Sequence, residues 1–181
     1  MNSKKLAVSN SGPLIHLSQI GMLRILEVYD LVIPYEVKYE VVDRGKEKGY
    51  SDAFLVEKAI ENKLIKTIKV NVPDKFIKLG KLAGLHKGEI SVIYYAYQKN
   101  AIALLDDSSA RCFARNLGIK VRGSLGIIIE GYKRGILGYE EARKSIDKLA
   151  EVMYLSAEVY RMAIESLKSL KSTHNTSAHT L

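Results

Sequence analysis

Five residues in this chain have side chains that suit oxygen-ligand chemistry and stand beside apolar segments: Asn10, Glu40, Glu89 and the adjacent pair Asp106 and Asp107. Carboxylate and amide oxygens are hard ligands, and a set of them converging in one cleft suits Mg2+ or Mn2+. Such ions activate water and stabilise charge on a phosphodiester during in-line attack. Each residue also has a plainer role open to it. Asp106 and Asp107 can cap a helix beginning at Ser108, Glu40 can pair with Lys38 or Arg44, and Glu89 can be a first-turn acid held by the helix dipole. Residue type and spacing leave both readings standing.

The elements that must position these residues are legible in the hydrophobic pattern. Ala101–Leu105 is a short apolar run that reads as a strand buried on both faces, and it ends abruptly in Asp106 and Asp107. Ala110, Phe113, Ala114 and Leu117 follow at i, i+3, i+4 and i+7, one helical stripe, which Gly118 stops. Ile119-Lys120-Val121 begins a second strand. The unit is β-α-β, with acid at the carboxyl end of its first strand, where open parallel sheets bind ligands.

The same logic runs through the rest of the chain. Lys5–Ser9 reads as a strand, and Asn10-Ser11-Gly12-Pro13 as a turn in which Asn10 or Ser11 can cap a short helix, Leu14–Ile20. A helix over Met22–Val28 and a strand at Leu31-Val32-Ile33, ended by Pro34, are predicted next. Ile33, Val37, Val41 and Arg44 then line one side of a helix, with Glu40 beside them. A carboxylate placed there must reach a cleft, a partner or a metal, because burying it alone is costly. Further on, a helix over Asp52–Asn62, a half-exposed strand over Leu64–Val70 and a helix from Pro73 to about Leu85 are predicted. The helix that follows carries Val92, Ile93 and Ala96 on its apolar side, with Glu89 one turn earlier on that side. Charge at that end is favoured by ~0.3–1 kcal/mol. Gly123–Arg134 is an apolar helix, and two amphipathic helices without a chemical motif follow, roughly Tyr139–Met153 and Ser156–Leu170.

With 181 residues and 47% hydrophobic content, the chain suits one α/β domain over residues 1–135, a helical extension of it over 136–171, and an unstructured polar tail over 172–181. The formal net charge of +8 makes a polyanion the first partner to consider, either nucleic acid or an anionic membrane surface. The single cysteine, Cys112, excludes an intrachain disulfide framework and a multi-cysteine metal site, and no activating partner stands near it in sequence. No 18-residue apolar stretch and no signal-peptide pattern occur, so a cytoplasmic protein without membrane association is expected. Arg111 and Arg115, at i and i+4, with Lys120, Arg122, Lys133 and Arg134, can track an RNA backbone or simply form a solvated face. No aromatic-interleaved RNA-reading motif is present. His16 and His86 read as packing or loop histidines, and His174 and His179 lie in the tail.

Four segments in order, VSNSGPLIHLSQIG, VIPYEVKYEVV, HKGEISVIYYAY and ALLDDSSARCFARNLGIKVRGSLGIIIEGYKRG, resemble the PIN-domain family, and within it a branch of short prokaryotic proteins of unassigned function. They span most of Val8–Gly135. The resemblance implies a three-layer α/β/α sandwich around a mainly parallel sheet of strand order 3-2-1-4-5. It also implies divalent-metal-dependent cleavage of RNA, and for many members a toxin role with a small antitoxin protein as partner. A homodimer, with the C-terminal helix pair at its interface or packed on its own domain, is the expected assembly.

By position, Glu40 resembles the family's second acid, Glu89 the third, and Asp107, with Asp106 beside it, the acid after the fourth strand. The first acid, normally an aspartate, is Asn10 here, as it is in other members of the resembling branch. An amide oxygen can ligate Mg2+ without contributing charge, so weaker metal binding is expected, with Asp106 compensating as a nearby second carboxylate. Ser11 is a candidate substrate hydroxyl or helix cap, and Arg111 and Arg115 are candidate substrate contacts. The expected function is a metal-dependent endoribonuclease, and the alternative is a PIN-like module that binds RNA or protein without cleaving. A phosphatase with an aspartate nucleophile at the end of strand one is disfavoured, because Asn10 cannot form a phospho-aspartate.

Overall fold

The computed structural model describes residues 4–177. Five strands, β1 (Lys5–Ser9), β2 (Tyr29–Pro34), β3 (Ile65–Ile68), β4 (Ile102–Leu104) and β5 (Val121–Arg122), form one sheet in the order β3-β2-β1-β4-β5. Every pairing is parallel. This is the implied order, and the sheet is wholly rather than mainly parallel. Parallel strands need crossovers, and helices supply them on both faces, which explains the near-continuous burial along β1, β2 and β4.

One face carries α5 (Asp74–Leu82), α6 (Lys87–Lys99) and α7 (Ser108–Asn116), with α6 packed on β1, β2 and β4. The other carries α1 (Ser11–Gln19), α4 (Ser51–Glu61), α8 (Ser124–Lys133) and α9 (Tyr139–Val152). The last helix, α10 (Ala157–Ser177), packs on α8 and α9 and buries Ala163 and Leu167. The C-terminal pair thus covers its own domain. Helix α10 continues through residues 172–177, where tail composition suggests no regular structure. Extending a packed helix adds one hydrogen bond per residue without a new nucleus, so a polar end can follow it. Residues 178–181, the rest of that tail, lie outside the described residues.

Local departures have packing causes. Leu23–Val28 is a 3-10 helix, a tighter turn that buries Ile25, Leu26 and Val28 together. Strand β2 is longer than its apolar run suggests and includes Pro34, whose missing N–H is tolerated at a strand end. The segment after it opens as α2 (Tyr35–Lys38), widens into a π turn at Tyr39–Asp43 and closes as α3 (Arg44–Glu47). The wide turn lets the adjacent Val41 and Val42 both reach the core, and it leaves Glu40 exposed.

Candidate metal centre

The chain leaves β1 towards β2 and β3 on one side and adds β4 and β5 on the other. The carboxyl ends of β1 and β4 therefore flank the point where the strand order reverses, where such sheets open a crevice. Ser9 pairs with Leu104, and Asn10 N donates to Leu104 O at 3.0 Å. That bond fixes Asn10 beside the segment leading to Asp106 and Asp107.

Asn10 occupies the N-cap position of α1, but its side chain makes no capping bond. Ser11 does not cap either. It is 6% exposed, and its Oγ donates to Glu40 Oε2 at 2.7 Å, with Asn10 Oδ1 at 3.5 Å. Glu40 therefore pairs with neither Lys38 nor Arg44, and Lys38 instead contacts Asp43 at 3.2 Å. The first turn of α6 closes the same space. A methyl group on Gly88 would lie 3.6 Å from Asn10 Oδ1 and 3.7 Å from Glu40 Oε2, so both oxygens border that turn.

Glu89, one residue on, is 7% exposed. It forms a capping box with His86, in which Glu89 Oε2 accepts from His86 N at 2.9 Å. Burial pushes its carboxyl above the ordinary value. The His86 N–H opposes that shift, and the charges of Asp107 and Glu40 add to it. Glu40, Glu89 and Asp107 therefore share one electrostatic neighbourhood. Asp107 caps α7, with Oδ1 accepting from Ala110 N at 2.8 Å, and is otherwise exposed. The plainer capping roles of Glu89 and Asp107 are thus real, yet the hydrogen bonds found for each fall on one oxygen.

Asp106 goes elsewhere. Its side chain is 8% exposed, with Oδ1 accepting from Ser124 N at 2.7 Å and Oδ2 accepting from Ser124 Oγ at 2.6 Å and facing His16 Nδ1 at 2.8 Å. Burial alone would raise this carboxyl, but the bonds from His16 and Ser124 outweigh it and hold Asp106 below the usual aspartate value. Gly12 and Gly123 pack against it, and a methyl on Gly123 would meet Asp106 Oδ1 at 3.0 Å. Asn10 and Glu40 border the first turn of α6, which carries Glu89, and Asp107 caps α7, whereas Asp106 is a strut between α1 and the start of α8. The compensating carboxylate that the sequence suggested has both oxygens already engaged.

Arg111 lies one turn into α7, and its Nε is a buried donor without a hydrogen-bond partner among the described residues. Arg115 is exposed further along the same helix. Sequence reasoning missed Ser124 and the role of His16, since nothing local ties either to Asp106. The π turn that presents Glu40 also left no sequence signal.

Among the described residues, no three His, Cys, Asp or Glu side chains stand close enough to form a preassembled metal cage. In type, the oxygens of Asn10, Glu40, Glu89 and Asp107 are the hard donors that a divalent ion takes. Mg2+ keeps several waters and needs one or two carboxylates, and the buried Glu89 charge beside Asp107 and Glu40 is one that a cation would relieve.

The fold defines an α/β protein with a wholly parallel sheet, in which Asn10 and Asp107 follow the two strands that flank the switch point. The chain belongs to the PIN-domain family: the family model DUF3368, described as PIN domain, matches residues 6–169. Members of this family are typically nucleases and typically metal-dependent. Among solved structures, the chain is similar to PAE2754 from Pyrobaculum aerophilum, with 14% identity, a TM-score of 0.45, and coverage of 64% of this chain and 98% of that one. It is also similar to SSO1118, a PilT N-terminus domain protein from Sulfolobus solfataricus P2, with 17% identity, a TM-score of 0.43, and coverage of 67% and 89%. No curated protein matches. No helix among the described residues is long and apolar enough to cross a membrane.

Proposed function

We propose that this protein is a metal-dependent endoribonuclease whose centre is formed by Glu40, Glu89 and Asp107, with Asn10 adding a neutral oxygen. The observation that carries this reading is positional: Asn10, bonded to Leu104 at the carboxyl end of β4, and Glu40 both border the first turn of α6, which carries the nearly buried Glu89. Carboxylate and amide oxygens placed beside one helix turn are the hard donors that a divalent ion takes. A bound Mg2+ or Mn2+ would supply Lewis-acid charge to an RNA phosphodiester and to the water that attacks it.

The chain's own residues do the positioning. Ser11 holds Glu40 by its 2.7 Å hydrogen bond, and the capping box holds Glu89 at the start of α6. Asp106 ties the segment after β4 to α8 through Ser124, and Asp107 beside it caps α7. Arg111 and Arg115 offer guanidinium groups on α7 for the phosphates of the RNA. The test is hydrolysis of mixed RNA in Mn2+ by the wild type and by a Glu89→Gln, Asp107→Asn double variant. Loss of cleavage in the variant is expected, and equal activity in the two proteins would sink the assignment.

A second reading is a PIN-like module that binds RNA or protein without cleaving, and Asn10 favours it, because the amide removes a charge where the family normally has an aspartate. Its signature is a melting temperature that millimolar Mn2+ does not change.

A further inference from the structure

Glu40 is also part of a second space. A cavity of ≈ 180 Å3 opens on its far side, bordered by Arg44, Lys48, Tyr50 and Asp52. It lies where α3 turns into α4. Tyr50 N is fixed by a 3.0 Å bond to Gly45 O, while the residue stays 53% exposed. The neighbouring cations Lys38 and Lys46 are neutralised by Asp43 and Glu57. Arg44 and Lys48, one turn apart, have no ion-pair partner among the described residues.

This combination has a definite chemistry. The space is smaller than the ~300–1,000 Å3 of pockets that hold drug-sized ligands, so it takes a fragment. An exposed aromatic ring offers a stacking surface to a base, two unspent cations suit phosphate, and Asp52 can accept from a base N–H edge. A base can reach such a ring only when unpaired. We propose that this cavity seats one nucleotide of a single-stranded RNA whose neighbouring phosphodiester lies at Glu40: Tyr50 stacks on the base, and Arg44 and Lys48 hold the phosphate. The placement rests on the RNA-cleaving reading of the adjoining cleft.

The experiment measures binding without metal, so that it does not depend on cleavage. A labelled single-stranded RNA of about 12 nucleotides is titrated in EDTA by fluorescence anisotropy, with thermal unfolding of each variant as a folding control. Tyr50→Ala weakens binding by about tenfold, the loss of one stacked base, while Tyr50→Phe stays within about twofold because the ring remains. The paired Arg44→Gln, Lys48→Gln variant lowers the salt slope by about 0.7, the contribution of one phosphate on a single strand. A duplex of equal length competes poorly with the single strand. The proposal is overturned if Tyr50→Ala binds as the wild type does, if Tyr50→Phe loses as much as Tyr50→Ala, or if the duplex competes equally. It is also overturned if the salt slope stays unchanged, the result expected of a protein-docking patch. Cleavage in Mn2+ with Tyr50-independent binding would remove only the seat. Tyr50-dependent binding without any cleavage would remove only the nuclease.

Discussion

Asp106 and Ser124 are joined by two hydrogen bonds, from Ser124 N at 2.7 Å and from Ser124 Oγ at 2.6 Å. The pair anchors the N-terminus of α8 to the carboxyl end of β4 and, through His16, to α1. The first of two adjacent aspartates is thereby engaged on both oxygens, while the second caps α7 and stays exposed.

Replacing Asp106 therefore tests architecture. Asp106→Ala leaves the Ser124 donors and His16 without their acceptor in a nearly buried place, and the expected loss is about 3 kcal/mol in urea unfolding. Asp106→Asn keeps the shape and costs less. Because the carboxyl is held below its usual value, its stabilisation is present above the ordinary aspartate range and disappears as the pH falls through the lowered folded value. The wild type should lose stability below about pH 4 more steeply than Asp106→Asn. Retention of the Mn2+ thermal shift in Asp106→Asn would confirm a supporting role.

Glu89 behaves in the opposite sense. Its raised proton affinity means that stability falls as the pH climbs from the ordinary glutamate value through the higher folded one. Glu89→Gln removes the buried charge and keeps an acceptor for His86 N. Without metal at neutral pH, the variant should melt a few degrees above the wild type and show a flatter pH dependence in that window. The same substitution should abolish the Mn2+ thermal shift. A variant that is less stable and still responds to Mn2+ would contradict both the buried-charge account and the metal role of Glu89.

Asn10 is the position at which charge can be added. Its Oδ1 borders the same turn of α6 as Glu40 Oε2, so Asn10→Asp places another negative group in the cleft. Calorimetry should show Mn2+ affinity rising by about tenfold, accompanied by a lower melting temperature in EDTA. Mn2+ affinity in both proteins should rise with pH over the interval in which Glu89 gives up its proton.

A distant control is available at Gly131. A methyl group there would come within 2.7 Å of Ile25 Cγ1, and Ile25 is fully buried. Gly131→Ala should cost about 1–3 kcal/mol by overpacking. Its Mn2+ affinity, measured in the folded range, should stay at the wild-type value.

Much of the fold was legible because its signals are local. The apolar runs before Asn10 and Asp106, the helical stripes with Glu89 beside Val92 and Ile93, and the stop at Gly118 depend on neighbours within a turn or two. Periodicity reports those directly. The basic residues and acids could be named as candidates for the same reason.

What only the tertiary structure decided was how adjacent or distant oxygens divide their partners. Asp106 and Asp107 stand side by side in the sequence, yet strand pairing brings Ser124, the first residue of α8, to one of them and leaves the other to cap α7. Ser11 reads as a helix cap, and the fold spends its hydroxyl on Glu40, 29 positions away. Tyr50 is a loop aromatic in sequence and becomes a wall of the Glu40 cavity. Sequence by itself determined the elements and the supply of oxygen-bearing side chains, because both follow from residue type and period. Strand order, crossover geometry and one π turn determined which of these side chains become neighbours, because such relations arise only when segments far apart in the chain are packed together.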